Sequence, residues 1–366
     1  MPRIQSLNIL LDPTGKAYLK ELYGKVIENV QKQTISGALK NRDLSGDPTS
    51  GTVEANRYQN SASKRYGSAR TAGKGDAIVA KPVVIQIDQD REIIEELEEK
   101  DVKLYGVDGV LDRRSINHVN SMVRELEEAF FLEAANAGEI EFEPVASEIA
   151  AQLEEQIVAV EKIRNNYVNG VPRNIMSIVL DTEMYSQIRS YLDTNVHNAN
   201  VNTAVEGFGY FHGVKVYSTV YLPAGVKGML LVDGAVAQPV TSNTYGAEKI
   251  PLSDAYAVEL FYYFGTKAVT PDLISVWKKV LAKPTISITT GTLTITGVEN
   301  AEAYRVYAKV SGAAKFLVCE TKELTVDLTD YSELVDDTTY TITVEAVNMA
   351  DAYKATESEG ASYTVA

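Results

Sequence analysis

The chain has 366 residues, 45% hydrophobic and 23% charged, with a formal net charge of −15, which points to two or three folded units in an ordinary globular protein. One cysteine (Cys319) and three scattered histidines (His118, His197, His212) exclude a disulfide-stapled scaffold and leave no spacing for a four-ligand zinc site. No apolar run reaches the roughly 18–20 residues of a membrane span, and the N-terminus, MPRIQSLNILLDPTG, lacks the long apolar region and cleavage site of a signal peptide. The expectation is an intracellular, acidic, soluble chain.

Charge is unevenly spread. Residues 1–82 hold thirteen Lys/Arg and seven Asp/Glu, a local charge of +6 that leaves −21 on the remainder. A dilute basic arm with no Lys/Arg run reads as a surface for intersubunit contact more than for nucleic acid.

In chain order, residues 14–33 place Leu19, Leu22, Val26 and Val30 at helical spacing, with Gly24 as a weak point. Residues 36–82 are rich in Gly, Ser, Ala, Asn and charge and poor in large aliphatics. A compact domain seldom tolerates such a stretch. Strand patterns at 51–58 and 77–87 suggest a two-stranded arm that leaves the body and returns, with Gly-rich tips at 46–51 and 67–75. Residues 83–87 read as a buried strand and 90–101 as an acidic helix with Ile93, Ile94 and Leu97 inward. The clearest helix spans 115–136, with Ser115 as N-cap and Ile116, Val119, Val123, Leu126 and Phe130 on one face. A further helix is expected over 147–165, a buried strand over 175–180, and then a short helix capped by Asp181 or Thr182. Strands follow at 209–222, 228–232 and 255–264, an α+β pattern. Beyond Lys283–Pro284 the helical period vanishes, and seven short strands at 285–289, 292–296, 304–310, 315–319, 324–328, 339–347 and 361–365 outline a β-sandwich.

Catalytic equipment is sparse. His118 lies within a helix as a polar-face or satisfied residue, His212 precedes Gly213 at a turn, and His197 sits in an Asn-rich loop. Cys319 reads as a small hydrophobe on a strand. Gly207, Gly209 and Gly213 miss dinucleotide spacing. Asp88, Asp90, Glu92 and Glu99 imitate a calcium loop, but Ile93 stands where its glycine should be. No enzyme activity, cofactor or metal is expected.

Two resemblances organise these readings. LTITGVENAEAYRVYAKV (293–310) and LVDDTTYTITVEAVN (334–348) resemble a fibronectin type III or Ig-like domain over 283–366. Ile295 stands where that family usually has a core Trp. The resemblance implies that Tyr340 is the corner tyrosine, its hydroxyl bonded back to the backbone.

GFGYFHGVKVYSTVYLPAG (207–225) and AYAVELFYYFGTKAVTPDLI (255–274), with the low-core excursion and the long helix before them, resemble the HK97-type major capsid protein of tailed bacteriophages. This implies an HK97-like α+β fold, with an N-terminal arm (1–35), an E-loop (36–82) and a P-domain (83–146) holding the spine helix 115–136. An A-domain (147–265), a return to the P-domain (266–282) and the sandwich (283–366) complete it. The function implied is an icosahedral head shell enclosing the genome, with the sandwich displayed on its outer surface and dispensable for assembly. Candidate intersubunit contacts in the E-loop are Lys64, Arg65, Arg70 and Lys74, facing a neighbour's carboxylates. Implied partners are further copies in hexamers and pentamers, a separate scaffolding protein, a portal, and packaged DNA in at most non-specific contact, with no membrane. The location is the virion capsid, made in the host cytoplasm. The family commonly has an N-terminal scaffolding extension, for which Met1 leaves no room before the first helix; the expectation is a separate scaffold or a chain already lacking that segment. Alternatives are an encapsulin-type cellular shell, disfavoured by the sandwich and long E-loop, or a phage tail or adhesion protein that binds through the sandwich.

Overall fold

The computed structural model describes residues 7–61, 63, 65, 78–194, 209–242, 245–350 and 352–365. They fall into two units, Met1–Leu222 with Met229–Val276, and Pro223–Gly228 with Trp277–Ala366.

In the first unit, helix α1 (Pro13–Gln33) starts on a proline at its first position and buries Leu19, Leu22, Val26 and Val30. A one-turn helix, α2 (Ile35–Leu39), follows. Strands β1 (Thr52–Tyr58) and β2 (Ala80–Gln86) form an antiparallel pair in register from Thr52↔Gln86 to Tyr58↔Ala80. Gly46 and Gly51, both at positive φ, lie at the body end of this hairpin, where Ile87 N–H donates to the Gly51 carbonyl. The 46–51 segment is therefore not a tip; the 67–75 segment lies outside the described residues.

The expected acidic helix at 90–101 is instead strand β3 (Gln89–Leu97), paired along its whole length with Tyr256–Phe264. Tertiary pairing overrides local propensity here. Ile93, Glu95 and Leu97 turn inward, and Ile94 is exposed. Tyr256–Phe264 alternates buried and half-buried residues at every position and is flanked on its other edge by the short strands Val240–Ser242 and Gly246–Lys249.

Helix α3 runs from Glu99 to Ala137, with a non-helical break at Gly106. It is longer than the 115–136 expected because Val107 and Leu111 extend the apolar stripe backwards. Ser115 is consequently inside the helix and not its cap, its hydroxyl bonded to the Asp112 carbonyl at 2.7 Å. Ile116 is exposed; the core row is Val119, Met122, Val123, Leu126 and Phe130. Val119, Met122, Val123 and Leu126 of this row, the apolar face of α1 and the inward side of Tyr256–Phe264 form one core.

A six-stranded sheet orders Ile140–Glu141, Ile274–Lys278, Val226–Val232, Met176–Leu180, Val214–Ser218 and Tyr210–Phe211. Met176–Leu180 is buried at all five positions, as a central strand must be. Helices α4 (Ile149–Glu161) and α5 (Thr182–Thr194) pack on each other, and the Asp181 carboxylate accepts the Met184 N–H at 2.7 Å, capping α5.

The second unit has two antiparallel sheets. One orders Ile286–Thr289, Thr292–Ile295 and Thr325–Asp327. The other pairs Ala303–Lys309 with Phe316–Thr321 and Thr339–Val347, which in turn pairs with Thr356–Glu357 and Ala361–Thr364. Leu293, Ile295 and Val326 from the first sheet share one core with Val306, Ala308, Ile342 and Val344 from the second. Leu281 belongs to this core too. The outer face of the larger sheet closes on itself: Arg305 with Glu320 (2.8 Å), Tyr307 with Glu345 (3.0 Å) and Lys315 with Glu357 (2.8 Å).

Candidate functional site

The β1–β2 hairpin has no core of its own, so its position depends on what its inner face touches. Strand alternation puts Val53, Ala55 and Arg57 on one face, opposite Ile85, Val83 and Lys81. Val53, Ala55 and Ile85 are buried in a cluster with Ala237 and Val269 of the body. The inner face becomes charged at Arg57, which therefore needs a partner. Its guanidinium bonds Asp272 in bidentate fashion, Nη1 to Oδ1 at 2.6 Å and Nη2 to Oδ2 at 2.8 Å, and lies 4.2 Å from the centre of the Tyr167 ring. The two charged side chains are only 13% and 20% exposed. Asn165 donates to Asp272 Oδ2 at 2.5 Å, and Asn60 N–H donates to the Asn166 carbonyl at 2.8 Å. Burial pushes the Asp272 carboxyl up, but the Arg57 bonds outweigh it and the net shift is downward.

The opposite face of the hairpin is open. Tyr58, Pro82 and Val84 share it and are exposed, as are Ile78 and Val79 where β2 begins. The hairpin is thus glued on one face and bare on the other. Of the basic residues expected to make contacts there, Arg65 is exposed; Lys64, Arg70 and Lys74 lie outside the described residues, as does His197.

Beside the hairpin's origin, a cleft of about 380 Å³ between β3 and α3 is lined by Asp88, Glu125, Glu128 and Glu133 together with Arg91. Glu125 accepts from the Tyr262 hydroxyl at 2.7 Å, and Glu133 accepts the Ala268 N–H at 3.0 Å. Both are also ion-paired, Glu125 with Arg91 at 3.3 Å and Glu133 with Lys267 at 3.4 Å.

Two buried networks hold the frame that carries the hairpin. His118 on α3 is buried, its Nδ1 2.6 Å from the Tyr245 hydroxyl and its Nε2 3.2 Å from Glu95 Oε2. Glu95 also takes the Arg114 Nε at 2.9 Å. Burial lowers the His118 pKa against the opposing pull of Glu95, so the imidazole is neutral near pH 7. Glu127, also on α3, is buried and accepts the Ser36 N–H at 2.7 Å, capping α2; burial raises its pKa, while the Ser36 bond works against the rise. Across the other sheet, Arg173 ties Glu161 (2.8 Å) and Glu154 (2.7 Å) together, and Glu154 takes the His212 Nδ1 at 2.6 Å. His212 and Gly213 form a two-residue turn with φ of 46° and 89°.

None of these groups forms a catalytic constellation. Each polar cluster is consumed by structural bonds, and among the described residues no three His, Cys, Asp or Glu are grouped to hold a metal. Cys319 is half-buried and in no disulfide. In the second unit, the Tyr340 hydroxyl accepts the Val335 N–H at 3.0 Å, five residues upstream, and its ring meets Phe316 edge-on.

The Arg57–Asp272 clamp is absent from the sequence reading because its partners are 215 positions apart. One local signal exists: Arg57 continues the parity of Val53 and Ala55, so a cation falls on an otherwise buried face.

No protein-family model matches the chain, and no curated protein matches it either. Solved structures do. A chain from the capsid of Cyanophage P-SCSP1u is 14% identical, with a TM-score of 0.51 over 67% of this chain and 88% of that one. A chain from Mycobacterium phage Che8 is 16% identical, with a TM-score of 0.48 over 67% and 91%, and one from a virus-like particle of Pyrococcus furiosus is 10% identical, with a TM-score of 0.46 over 71% and 99%. The cyanophage match establishes the fold: this mixed α+β chain shares the fold of a phage capsid protein.

Proposed function

We propose that the chain is an HK97-like major capsid protein of a tailed bacteriophage, assembling through hexamers and pentamers into an icosahedral head shell. The observation that carries this reading is the half-docked hairpin on a chain with a capsid fold. A strand pair that buries one face on its own body and leaves Tyr58, Pro82 and Val84 bare on the other is built to lie against another copy. The hairpin is the E-loop, α3 the spine of the P-domain, and the six-stranded sheet with α4 and α5 the A-domain. The basic distal segment, with Lys64, Arg65, Arg70 and Lys74, meets carboxylates of a neighbouring copy, and the cleft with Asp88, Glu125, Glu128 and Glu133 offers such carboxylates.

The second unit is a fibronectin type III/Ig-like sandwich displayed on the outer surface, with Tyr340 as its corner tyrosine. The charge of −21 beyond residue 82 suits a container that touches its DNA only non-specifically. A separate scaffolding protein and a portal complete the assembly, the chain is made in the host cytoplasm and ends in the virion, and its role is structural, without catalysis.

Electron microscopy of particles formed by the purified chain tests this. Icosahedral shells are expected; filaments or monomers alone would overturn it, and an enclosed cargo enzyme in place of DNA would make it an encapsulin-type shell. Truncation after Lys283 is expected to leave shells intact, and loss of all particles would sink the idea of a surface decoration.

A further inference from the structure

The four-stranded sheet built on β3 and Tyr256–Phe264 has two unlike faces. Its inward positions, among them Leu97, Val258, Leu260 and Tyr262, share the first unit's core with α3 and α1. Strand alternation turns Asp90, Glu92, Ile94 and Glu96 of β3 the other way, directly beside Tyr263, Phe261, Glu259 and Ala257 of the paired strand. Gly246 and Glu248 extend this outward face opposite Glu259 and Ala257, and Thr241 extends it opposite Tyr263. All these outward positions are exposed or half-buried.

The outward face is strongly acidic. Asp90, Glu92, Glu96, Glu248 and Glu259 lie on it, and no Lys, Arg or His does. None of the five carboxylates has a side-chain hydrogen bond or ion pair with another described residue. Carboxylates on the covered side are paired: Glu95, on the same strand, takes the Arg114 Nε at 2.9 Å, and Glu125 of α3 takes Arg91 at 3.3 Å. Like charges gathered without a counter-charge favour a cationic partner.

The centre of the face is apolar. Ile94 is 50% exposed, and Phe261 and Tyr263 are half-buried. Ile94 stands diagonal to Phe261, and Phe261 is two positions from Tyr263 on the same side of its strand. Such neighbours are within reach of aromatic side chains, so the three make one strip framed by carboxylates.

We propose that this face docks a cationic amphipathic helix of a separate protein chain. Helices are the usual second cover of a sheet already packed on one side. The nine paired positions of β3 span about 30 Å, the length of a helix of about 20 residues. Its apolar stripe lies on Ile94, Phe261 and Tyr263, and flanking Lys or Arg meet the carboxylates. Nucleic acid, a polyanion, is repelled. This chain does not supply the helix. Its one described α-helix of net positive charge, α1, has its apolar face buried at Leu19, Leu22, Val26 and Val30. The basic run 64–74 of a second copy has no large aliphatic residue to cover the strip. The face belongs to a single copy, so this partner is additional to shell assembly and independent of it.

Fluorescence anisotropy with the full chain tests this. The probe is a labelled peptide of about 20 residues with leucine and lysine at helical period. Comparators are leucine and lysine alternating at strand period, a leucine–glutamate helix, and oligolysine. Saturable, salt-weakened binding of the probe is expected, about tenfold or more tighter than each comparator, with hydrogen-exchange protection in Gln89–Leu97 and Tyr256–Phe264. Glu92→Gln with Glu96→Gln should weaken binding about tenfold and Ile94→Ser about threefold, with thermal unfolding unchanged because all three residues are exposed. Glu128→Gln, in the cleft beside α3, should leave binding unchanged. Absence of saturable binding, wild-type affinity in the Glu92→Gln, Glu96→Gln double variant, or a comparator binding as tightly as the probe would overturn the proposal. Loss of self-association of the peptide-free chain in Ile94→Ser would also overturn it, by making a second copy the occupant.

Discussion

The hairpin and the C-terminal unit are both additions to a helix-and-sheet body, yet they are stabilised in opposite ways. The hairpin owns no core: Val53, Ala55 and Ile85 are buried only because Ala237 and Val269 lie beneath them, and Arg57 is tolerable only because Asp272 is there. The C-terminal unit closes Leu293, Ile295 and Val326 over Val306, Ile342 and Val344, all from its own strands. Damage to the hairpin's anchor should therefore loosen the hairpin alone, whereas damage to the C-terminal core should unfold a whole unit.

The largest effect should come from Ile342→Ala, which opens a cavity at a fully buried position and should destabilise the C-terminal unit by roughly 2–5 kcal/mol. Hydrogen exchange should then rise across Ala303–Lys309 and Thr339–Val347 and stay unchanged in α3; equal loss of protection in α3 would break the distinction. Arg57→Ala leaves Asp272 half-buried without its cation, at a cost of about 2 kcal/mol between the exposed and buried limits for ion pairs. Its expected signature is faster exchange and proteolysis of β1 and β2 with the C-terminal strands unaffected. Tyr340→Phe removes the acceptor of the Val335 N–H and should cost the C-terminal unit about 1 kcal/mol, read as a lowered denaturation midpoint.

The smallest effect is the pH dependence that His118 and Asp272 give the first unit. Folding lowers the His118 pKa, so the unfolded chain binds the proton more readily. Stability from this group is complete above the unfolded value of about 6.5 and declines as pH falls below it. Asp272, also lowered, adds a second decline only below about pH 4. His118→Gln should flatten the upper of these two declines in the first unit's unfolding midpoint and leave the lower one in place.

What the sequence made legible follows from how local each cause is. Seven of the eight C-terminal strands show alternation bounded by turn residues that place them, including Thr339–Val347 to the residue, while the two-residue strand Thr356–Glu357 has no such pattern. The hairpin strands were legible as weak alternation within a Gly- and Ser-rich run. Strand β3 was not: DQDREIIEELEEK reads as an acidic helix until Tyr256–Phe264, more than 150 positions away, offers nine pairing positions. Helix α3 was underestimated because Ser115 reads as its N-cap, while Val107 and Leu111 carry the buried stripe a further two turns towards the N-terminus. The anchor residues were invisible as a set for the same reason, since Arg57, Asn165 and Asp272 meet only once the sheets are built.

Gly106 has φ 75° and ψ 166° within a run that is otherwise helical, a conformation open in practice only to a residue without a β-carbon. Side chains elsewhere can vary and leave a helix's course unchanged, but the corner here is set by chirality, and no L-amino acid can reproduce it. The first turns of α3 and the strand leading into them are therefore aimed by a single achiral residue. The whole direction of that segment has no redundancy in the sequence and no gradual route by which it could change.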